Sequence, residues 1–205
     1  MSLFIESCCA SPESVRRAVS AGTKRIELCQ DLETGGLTPS EALIREALAL
    51  AGDIPVNVLV RPREGDFVYT EEEIREMLAS IRLCKRLGVN GVVIGALTPR
   101  GNVDMATMRR LLAEARPLHI TFHRAFDACR DPEEALEELI GLGIERLLTS
   151  GHCEDAYTGR FALKALVGQA AGRIVVMPGC GITPSNLQEI ATVTGAFEFH
   201  GSRLP

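Results

Sequence analysis

The sequence predicts a TIM barrel, the closed (β/α)8 fold, and places residues 1–205 in a single domain. Short β-branched segments alternate with longer amphipathic segments along the whole chain, without a linker or a change of composition. Strands that alternate with helices form parallel sheets with right-handed crossovers. Eight strand segments favour a closed barrel over a doubly wound sheet of five or six strands. No Gly-x-Gly-x-x-Gly sequence follows the first strand, which argues against a dinucleotide-binding fold.

The eight predicted strands are short and rich in β-branched residues. They cover residues 3–8, 25–29, 56–61, 91–95, 119–123, 146–149, 174–177 and 196–200. In such barrels the active site lies where the strands end and the following loops begin, so the residues that close these segments are candidates for a shared site.

The segments between the strands carry signals for helix starts and ends. Segments 38–41 and 70–73 each place Thr at the N-cap position three residues before Glu, which is a capping box. Segments 131–134 and 183–186 place Pro directly after the N-cap residue. Most helices are expected to end at a glycine, because glycine tolerates the left-handed conformation found there. These glycines are Gly22, Gly52, Gly88, Gly143, Gly172 and Gly195.

The sequence ends at Pro205, just past the eighth strand segment. We therefore expect a barrel that is incomplete at its C-terminus and lacks the eighth helix. Strands 1 and 8 would then be poorly covered on the outside. Either the chain is truncated, or a partner covers this side, and a homodimer is one such arrangement.

The composition excludes several classes of protein. The chain has 22 Lys and Arg against 27 Asp and Glu, a net charge of −5, and no long basic run, so nucleic acid is not expected as a partner. The sequence contains no run of about 18 apolar residues, so it predicts no membrane span. Residues 1–6 lack the basic start of a signal peptide. The seven cysteines are odd in number and form no Cys-x-x-Cys pair, which indicates reduced thiols in a cytoplasmic protein.

The first two strands share a Glu-x-Cys pattern at their carboxyl ends. Side chains alternate along a strand, so Glu6 and Cys8 share one face of strand 1, and Glu27 and Cys29 share one face of strand 2. A glutamate within a strand is costly unless it faces a polar site or has a partner. We therefore expect a polar site at the barrel mouth. The alternative is that each glutamate pairs with an arginine and holds the barrel together.

The end of strand 3 carries charged residues that suit anion binding. Strand 3 ends at Arg61, whose guanidinium can bind a carboxylate or a phosphate with two parallel hydrogen bonds. A salt bridge to Glu27 on the neighbouring strand is an alternative role for Arg61. Asp66 lies in the loop that follows and adds a carboxylate to the same region.

Strand 5 ends in a His-Arg-x-x-Asp sequence. His119, Thr121 and His123 share one face of the strand, and His123 stands at its carboxyl end. There His123 can act as a general acid or base, or as a metal ligand. Asp127 is placed to orient the His123 ring, and Arg124 lies beside them. His119, at the start of the strand, is interpreted as structural.

The loop after strand 7 contains Gly179 and Gly181 just ahead of a helix. In barrels of this kind the loops after strands 7 and 8 commonly bind phosphate, because glycines let backbone N–H groups face an anion. The sequence therefore predicts a phosphate-binding loop here. The alternative is a tight turn with a helix cap at Thr183.

Cys8 and Cys29 differ from the other cysteines, because adjacent strands can place them close together facing one cavity. Two thiolates are soft ligands that suit Cu(I). The ligand is the thiolate rather than the thiol, and the nearby carboxylates disfavour the thiolate form. Inert packing of the two thiols is therefore the alternative to metal binding.

Several motifs together resemble the CutC family of copper homeostasis proteins. They are Arg-Ile-Glu-Leu-Cys at 25–29, Gly-Gly-Leu-Thr-Pro-Ser at 35–40, Arg-Pro-Arg at 61–63, Gly-Asn-Val-Asp at 101–104, Thr-Phe-His-Arg-Ala-Phe-Asp at 121–127 and Leu-Thr-Ser-Gly at 148–151. The resemblance implies a cytoplasmic (β/α)8 barrel that handles copper, with Cys8 and Cys29 as copper ligands. It also implies a longer chain, since family members continue past the position of Ser202. Cys180 departs from the glycine that is common in this loop of the family.

These features support two main hypotheses of function. The first is a cytoplasmic copper homeostasis protein that binds Cu(I) through Cys8 and Cys29. The second is an enzyme, such as a lyase or isomerase, that acts on a small anionic or phosphorylated metabolite, with Glu27 or His123 as general base and Arg61 as anion clamp. Its candidate catalytic residues are Glu6, Glu27, Arg61, Asp66, His123, Arg124 and Asp127. A third interpretation is a scaffold whose charges only neutralise one another, and no organic cofactor is expected.

Overall fold

The computed structural model describes residues 3–204, in which eight parallel strands form a nearly closed barrel. The strands are β1 Phe4–Cys9, β2 Arg25–Leu28, β3 Val56–Leu59, β4 Gly91–Ile94, β5 His119–Phe122, β6 Arg146–Thr149, β7 Val175–Pro178 and β8 Glu198–Gly201. Backbone hydrogen bonds join them in the order β7-β6-β5-β4-β3-β2-β1-β8, and β7 lies next to β8 at the seam. The predicted TIM barrel is confirmed.

Helices alternate with the strands and cover the outside of the barrel. They are α1 Pro12–Ser20, α2 Glu41–Ala51, α3 Glu71–Leu87, α4 Met105–Ala115, α5 Pro132–Gly141, α6 Arg160–Ala170 and α7 Leu187–Thr194. The six glycines predicted to end helices all have positive φ, as the position after a helix favours. Residues 202–204, which follow β8, form no helix. Within residues 3–204, none of the helices is long and apolar enough to cross a membrane.

Four strands end earlier than the sequence predicts: β3 by two residues, and β2, β4 and β5 by one residue each. At β3 and β5, side-chain contacts hold the turn by which the chain leaves the sheet. β3 ends two residues before Arg61, whose N–H donates to the Thr38 hydroxyl at 2.8 Å. β5 ends directly before His123, whose Nδ1 accepts a hydrogen bond from the N–H of Ala125 at 3.1 Å. Both turns lead into the loops that surround the barrel mouth.

Two of the four predicted helix caps are observed, and the other two, at Thr38 and Thr183, are wrong. Thr70 caps α3 through a capping box, and Asp131 caps α5. The cap of α2 is Ser40 and not Thr38. Thr38 instead contacts the backbone of Arg61. Its hydroxyl accepts a hydrogen bond from the Arg61 N–H, and its own N–H donates to the Arg61 carbonyl at 3.0 Å. The residue that the sequence marks as a cap therefore joins two loops of the mouth.

The two faces of the barrel differ in chemical character. Outward-facing residues such as Val58 on β3 and Phe122 on β5 are fully buried against the helices and belong to the main hydrophobic core. A small separate apolar cluster faces inward and consists of Cys8, Cys29, Leu59 and Val93. Buried charged residues share the interior, and buried charges need partners. The interior, rather than the outer core, is therefore the place for a specialised site.

Replacing Cys180 by glycine should stabilise the protein. Cys180 adopts a left-handed backbone conformation with φ of 77°, which costs a residue with a Cβ about 1–2 kcal/mol. Glycine loses more chain entropy on folding, which offsets about 0.5–1 kcal/mol of this gain. We expect Cys180→Gly to raise the free energy of unfolding in urea by about 0.5–1 kcal/mol.

The matched control for this prediction is Cys180→Ala, which also removes the thiol but keeps the Cβ. It should show no comparable gain, because the left-handed conformation still strains alanine. An equal gain in both variants would show that the thiol, and not the backbone conformation, is the cause.

Candidate functional site

A cavity of about 690 Å³ opens at the carboxyl ends of the strands, inside the ring of loops that follow them. The predicted site residues that line it are Cys8, Glu27, Cys29, Arg61, His123, Arg124, Asp127 and Gly181. The predicted site residues outside the lining are Glu6, Asp66 and Gly179. The structure thus gathers most of the predicted residues at one mouth and gives the others separate positions.

Glu6 belongs to a buried ionic network inside the barrel. Its carboxylate contacts the guanidinium of Arg25, which also donates to Glu198 at 2.6 Å. Arg146 donates to the same Glu198 oxygen at 2.6 Å, so two arginines and two glutamates from four strands form one chain of charges. Burial opposes ionisation of Glu6, but hydrogen bonds and positive charge from His200 and Arg25 outweigh it and lower its pKa to about 2. Glu6 thus pairs with an arginine, as the alternative interpretation of the Glu-x-Cys pattern expected.

His200 on β8 connects this network to the cavity, and the sequence analysis assigned it no role. Its Nδ1 lies 2.8 Å from Glu6 Oε1, and its Nε2 lies 3.9 Å from Glu27 Oε1. Burial favours the neutral ring, but the charge of Glu27 and the hydrogen bond with Glu6 outweigh it and raise the pKa of His200 to about 9. His200 is therefore protonated at neutral pH. The signal that could have identified it is its position two residues after Glu198, on the same inward face.

Glu27 and the two cysteines lie together at the ends of β1 and β2. Cys8 Sγ is 3.8 Å from Cys29 Sγ and 3.9 Å from Glu27 Oε1. Burial raises the pKa of Glu27 to about 7, although the charge of His200 opposes this. The hydrogen bond with Cys29, burial and the charge of Glu27 raise the pKa of Cys8 well above its ordinary value. The two cysteines of the Glu-x-Cys patterns therefore lie together. The two glutamates differ in position, since Glu27 lines the cavity and Glu6 does not.

These side chains fit a soft metal ion. Cys8, Glu27 and His200 offer ligand atoms that all lie within 4.8 Å of one another, and Cys29 adds a second sulfur. Glu27 Oε2 is buried without a hydrogen-bond partner among the described residues, so it is available to a ligand. Thiolate sulfur and imidazole nitrogen are donors that copper and zinc accept.

Arg61 lines the cavity with its positive charge unpaired. The alternative salt bridge to Glu27 is not formed. The guanidinium donates instead to the carbonyl groups of Thr34 at 3.1 Å, Gly36 at 3.2 Å and Gly65 at 3.0 Å. These carbonyls belong to the loops after β2 and β3, so Arg61 holds two loops together while no carboxylate within residues 3–204 neutralises it.

The predicted pair of His123 and Asp127 does not form. The N–H of Ala125 holds the ring by donating to His123 Nδ1, and burial together with the charge of Arg61 lowers the pKa of His123 to about 3. The ring is therefore neutral at pH 7. Asp127 accepts hydrogen bonds from the loop after β6, including the Ser150 N–H at 3.1 Å. It positions that loop and not the histidine.

Two further predicted residues take part in local ion pairs. Arg124 donates to Asp127 at 2.8 Å at the edge of the cavity. Asp66 is exposed, and its carboxylate pairs with Arg63 at 2.9 Å. The hydrogen bond with Arg63 lowers the pKa of Asp66. Asp66 therefore supports its own loop, outside the cavity.

The two glycines after β7 have different positions. The Gly179 N–H donates to the Thr149 carbonyl at 3.0 Å, so this N–H is not free to bind an anion. Gly181 lines the cavity. Thr183 donates its N–H to Asn186 Oδ1 at 2.8 Å, which makes a turn before α7 begins. The tight turn is thus present, although Thr183 is not the cap of α7.

Comparisons with known proteins agree on one family. The model of the CutC family matches residues 3–204. A CutC family protein from Parabacteroides distasonis is 50% identical over 202 residues, covering 98% of this chain and 83% of that protein. A human protein named copper homeostasis protein cutC homolog is 50% identical over 199 residues, covering 97% of this chain and 72% of that protein. A crystal structure bearing the name copper homeostasis protein CutC, from Streptococcus agalactiae, matches with a TM-score of 0.95 at 34% identity, covering 99% of this chain and all of that one.

Stability should fall between pH 7 and pH 9 because His200 loses its proton in this range. Its pKa is raised in the folded protein to about 9 from an ordinary value of 6.5. The stability that its protonated form contributes is therefore fully present below about pH 6.5 and is lost as the pH rises through 9. We expect this loss to be on the order of 2 kcal/mol in urea denaturation.

A His200→Gln variant tests this prediction, because glutamine does not titrate. The charged and titratable groups that face His200 are Glu6, Glu27 and Cys29, and the variant keeps all three. Any loss of stability common to both proteins belongs to other groups, such as the thiols. Parallel pH profiles for the wild type and the variant would rule out His200 as the cause.

Proposed function

This chain belongs to the CutC family, and on that basis we propose that it binds Cu(I) through Cys8 and Cys29 as part of copper homeostasis in the cytoplasm. The pair of sulfurs 3.8 Å apart at the wall of the cavity is the observation that carries this proposal. All seven cysteines are free thiols, so the pair is not used by a disulfide.

The separation of the two sulfurs supports a shared ion. A disulfide would bring them to about 2.05 Å, whereas two thiolates on one ion at about 2.3 Å each can stand up to about 4.6 Å apart. The observed 3.8 Å is the contact distance of two hydrogen-bonded thiols, and it is short enough for one ion to reach both sulfurs. Sulfur donors select soft ions such as Cu(I) over hard ions.

His200 and Glu27 are the additional ligands that we propose. His200 is anchored through Nδ1 to Glu6, which leaves Nε2 on the side of Glu27. A ring held at one nitrogen by a carboxylate is the arrangement found in many metal sites, and the ion would displace the Nε2 proton of His200 into solvent on binding. The cavity gives an ion access to this group from the barrel mouth.

The second hypothesis, an enzyme acting on a small anionic metabolite, is not favoured by the family match. The catalytic roles of Glu27, Arg61 and His123 in that hypothesis stay predictions. A homodimer that covers the outside of β8 also stays a prediction.

Replacing both Cys8 and Cys29 by serine should abolish tight Cu(I) binding. Changing residues around a metal ligand costs about 10–100-fold in affinity, so removing two ligands should cost more than about 100-fold. The measurement is competition with a chromogenic Cu(I) chelator under reducing, oxygen-free conditions. Circular dichroism of each variant confirms that the fold is kept.

The matched control replaces Cys153 and Cys180, which are the partly exposed thiols. Exposed thiols bind Cu(I) without any designed site, so this variant separates adventitious from specific binding. The proposal requires that the control retains wild-type affinity. Tight binding kept in the Cys8 and Cys29 variant, or lost in the control, would refute it.

A further inference from the structure

The barrel mouth carries an excess of positive charge although the chain as a whole is acidic. Three arginines line the cavity, namely Arg61, Arg124 and Arg203, against two carboxylates, Glu27 and Asp127. The net charge of the chain is −5. A cavity of opposite sign to the rest of the surface concentrates small anions.

Arg61 is a buried charge at this mouth that has no carboxylate partner within residues 3–204. Its residue is 7% exposed, and its Nε is buried without a partner in the part of the chain that the structure describes. A guanidinium has five N–H donors, and carbonyl groups accept from its two terminal nitrogens. At most two N–H groups remain, the Nε one among them. A buried charge without a counter-charge is costly unless a ligand supplies one.

His123 adds a second unused donor on the same wall. It is 5% exposed, and its Nε2 has no hydrogen-bond partner among residues 3–204. Because Nδ1 accepts from Ala125, the proton of the neutral ring is on Nε2. The low pKa of His123, about 3, keeps the ring neutral across the physiological range.

Phe67 packs against both Arg61 and His123. Its ring centroid is 5.0 Å from Arg61 Cζ and 5.1 Å from the centroid of the His123 ring. The aromatic ring, together with Leu148 and Ile182 elsewhere in the lining, provides apolar surface for a carbon skeleton. A polar end and an apolar body are what most small-ligand pockets recognise.

We propose that the barrel mouth binds a small organic carboxylate, whose oxygens accept hydrogen bonds from Arg61 and from His123 Nε2. The apolar surface beside these donors suits the carbon skeleton of an organic carboxylate, which inorganic phosphate lacks. This site uses different side chains from the copper site and does not depend on it. Binding, rather than turnover, is the property that the contacts support.

The test is thermal unfolding and calorimetry of metal-free protein with acetate, pyruvate, malonate and 2-oxoglutarate. Inorganic phosphate and chloride at equal ionic strength serve as comparison anions. A ligand that binds the native state raises the melting temperature, so at least one carboxylate should raise it above the level reached with phosphate or chloride. No shift with any carboxylate, or an equal shift with phosphate, would overturn the proposal.

Variants of Arg61 and His123 test whether these two residues bind the carboxylate. Arg61→Lys keeps the charge but cannot contact three carbonyls and a ligand together, and His123→Asn keeps an acceptor near Ala125 while losing the Nε2 donor. Each should weaken carboxylate affinity about tenfold or more, as loss of a hydrogen bond to a charged group does. If Arg61→Lys fails to fold, His123→Asn still decides the question.

The matched controls are Arg45→Lys and His119→Asn. Arg45 is an exposed arginine on α2 that pairs with Glu41, and His119 is exposed at the opposite end of β5 from His123. Both controls should bind the carboxylate as the wild type does. Equal weakening in the controls, or unchanged affinity in the His123 variant, would show that the carboxylate binds elsewhere.

Discussion

The buried chain of charges from Glu6 through Arg25 and Glu198 to Arg146 is the constraint on which the barrel mouth depends. An intact buried network of this kind adds little net stability, whereas loss of one partner leaves an unpaired charge and costs about 3–5 kcal/mol. Its importance is therefore positional. It fixes the carboxylate of Glu6, and Glu6 in turn holds His200 at 2.8 Å, with the other ring nitrogen towards the cavity.

The mouth above this network has two sides with different chemistry. On one side, two thiols stand with Glu27 and His200, a donor set for a soft cation. On the other side, Arg61 and His123 present unused N–H donors, a set for an anion. Both sides open to the same cavity. The proposed copper ion and the proposed carboxylate would thus share an entrance while using separate side chains.

The loops keep this division because Arg61 and Asp127 bind backbone groups and not each other. Arg61 takes carbonyls from the loops after β2 and β3, and Asp127 takes N–H groups from the loop after β6. Each side chain orders a loop in this way. Asp127 also pairs with Arg124, whereas the hydrogen-bond partners of Arg61 are uncharged carbonyl groups. Arg61 therefore stays positive in the cavity, where a salt bridge to Glu27 would have neutralised both residues.

Local sequence patterns determined the barrel, because strand and helix periodicity and capping residues act over a few positions. They also placed Cys8 and Cys29 on the same side of two adjacent strands, and the strand register, which sets Cys8 opposite Glu27, then brings the two sulfurs to 3.8 Å. Only the tertiary structure decided which partner each charge takes. His200 reaches Glu6 across 194 residues of sequence because β8 pairs with β1, and Arg61 meets carbonyls because of the paths of two loops. Such pairings depend on register and loop course, which no short segment encodes.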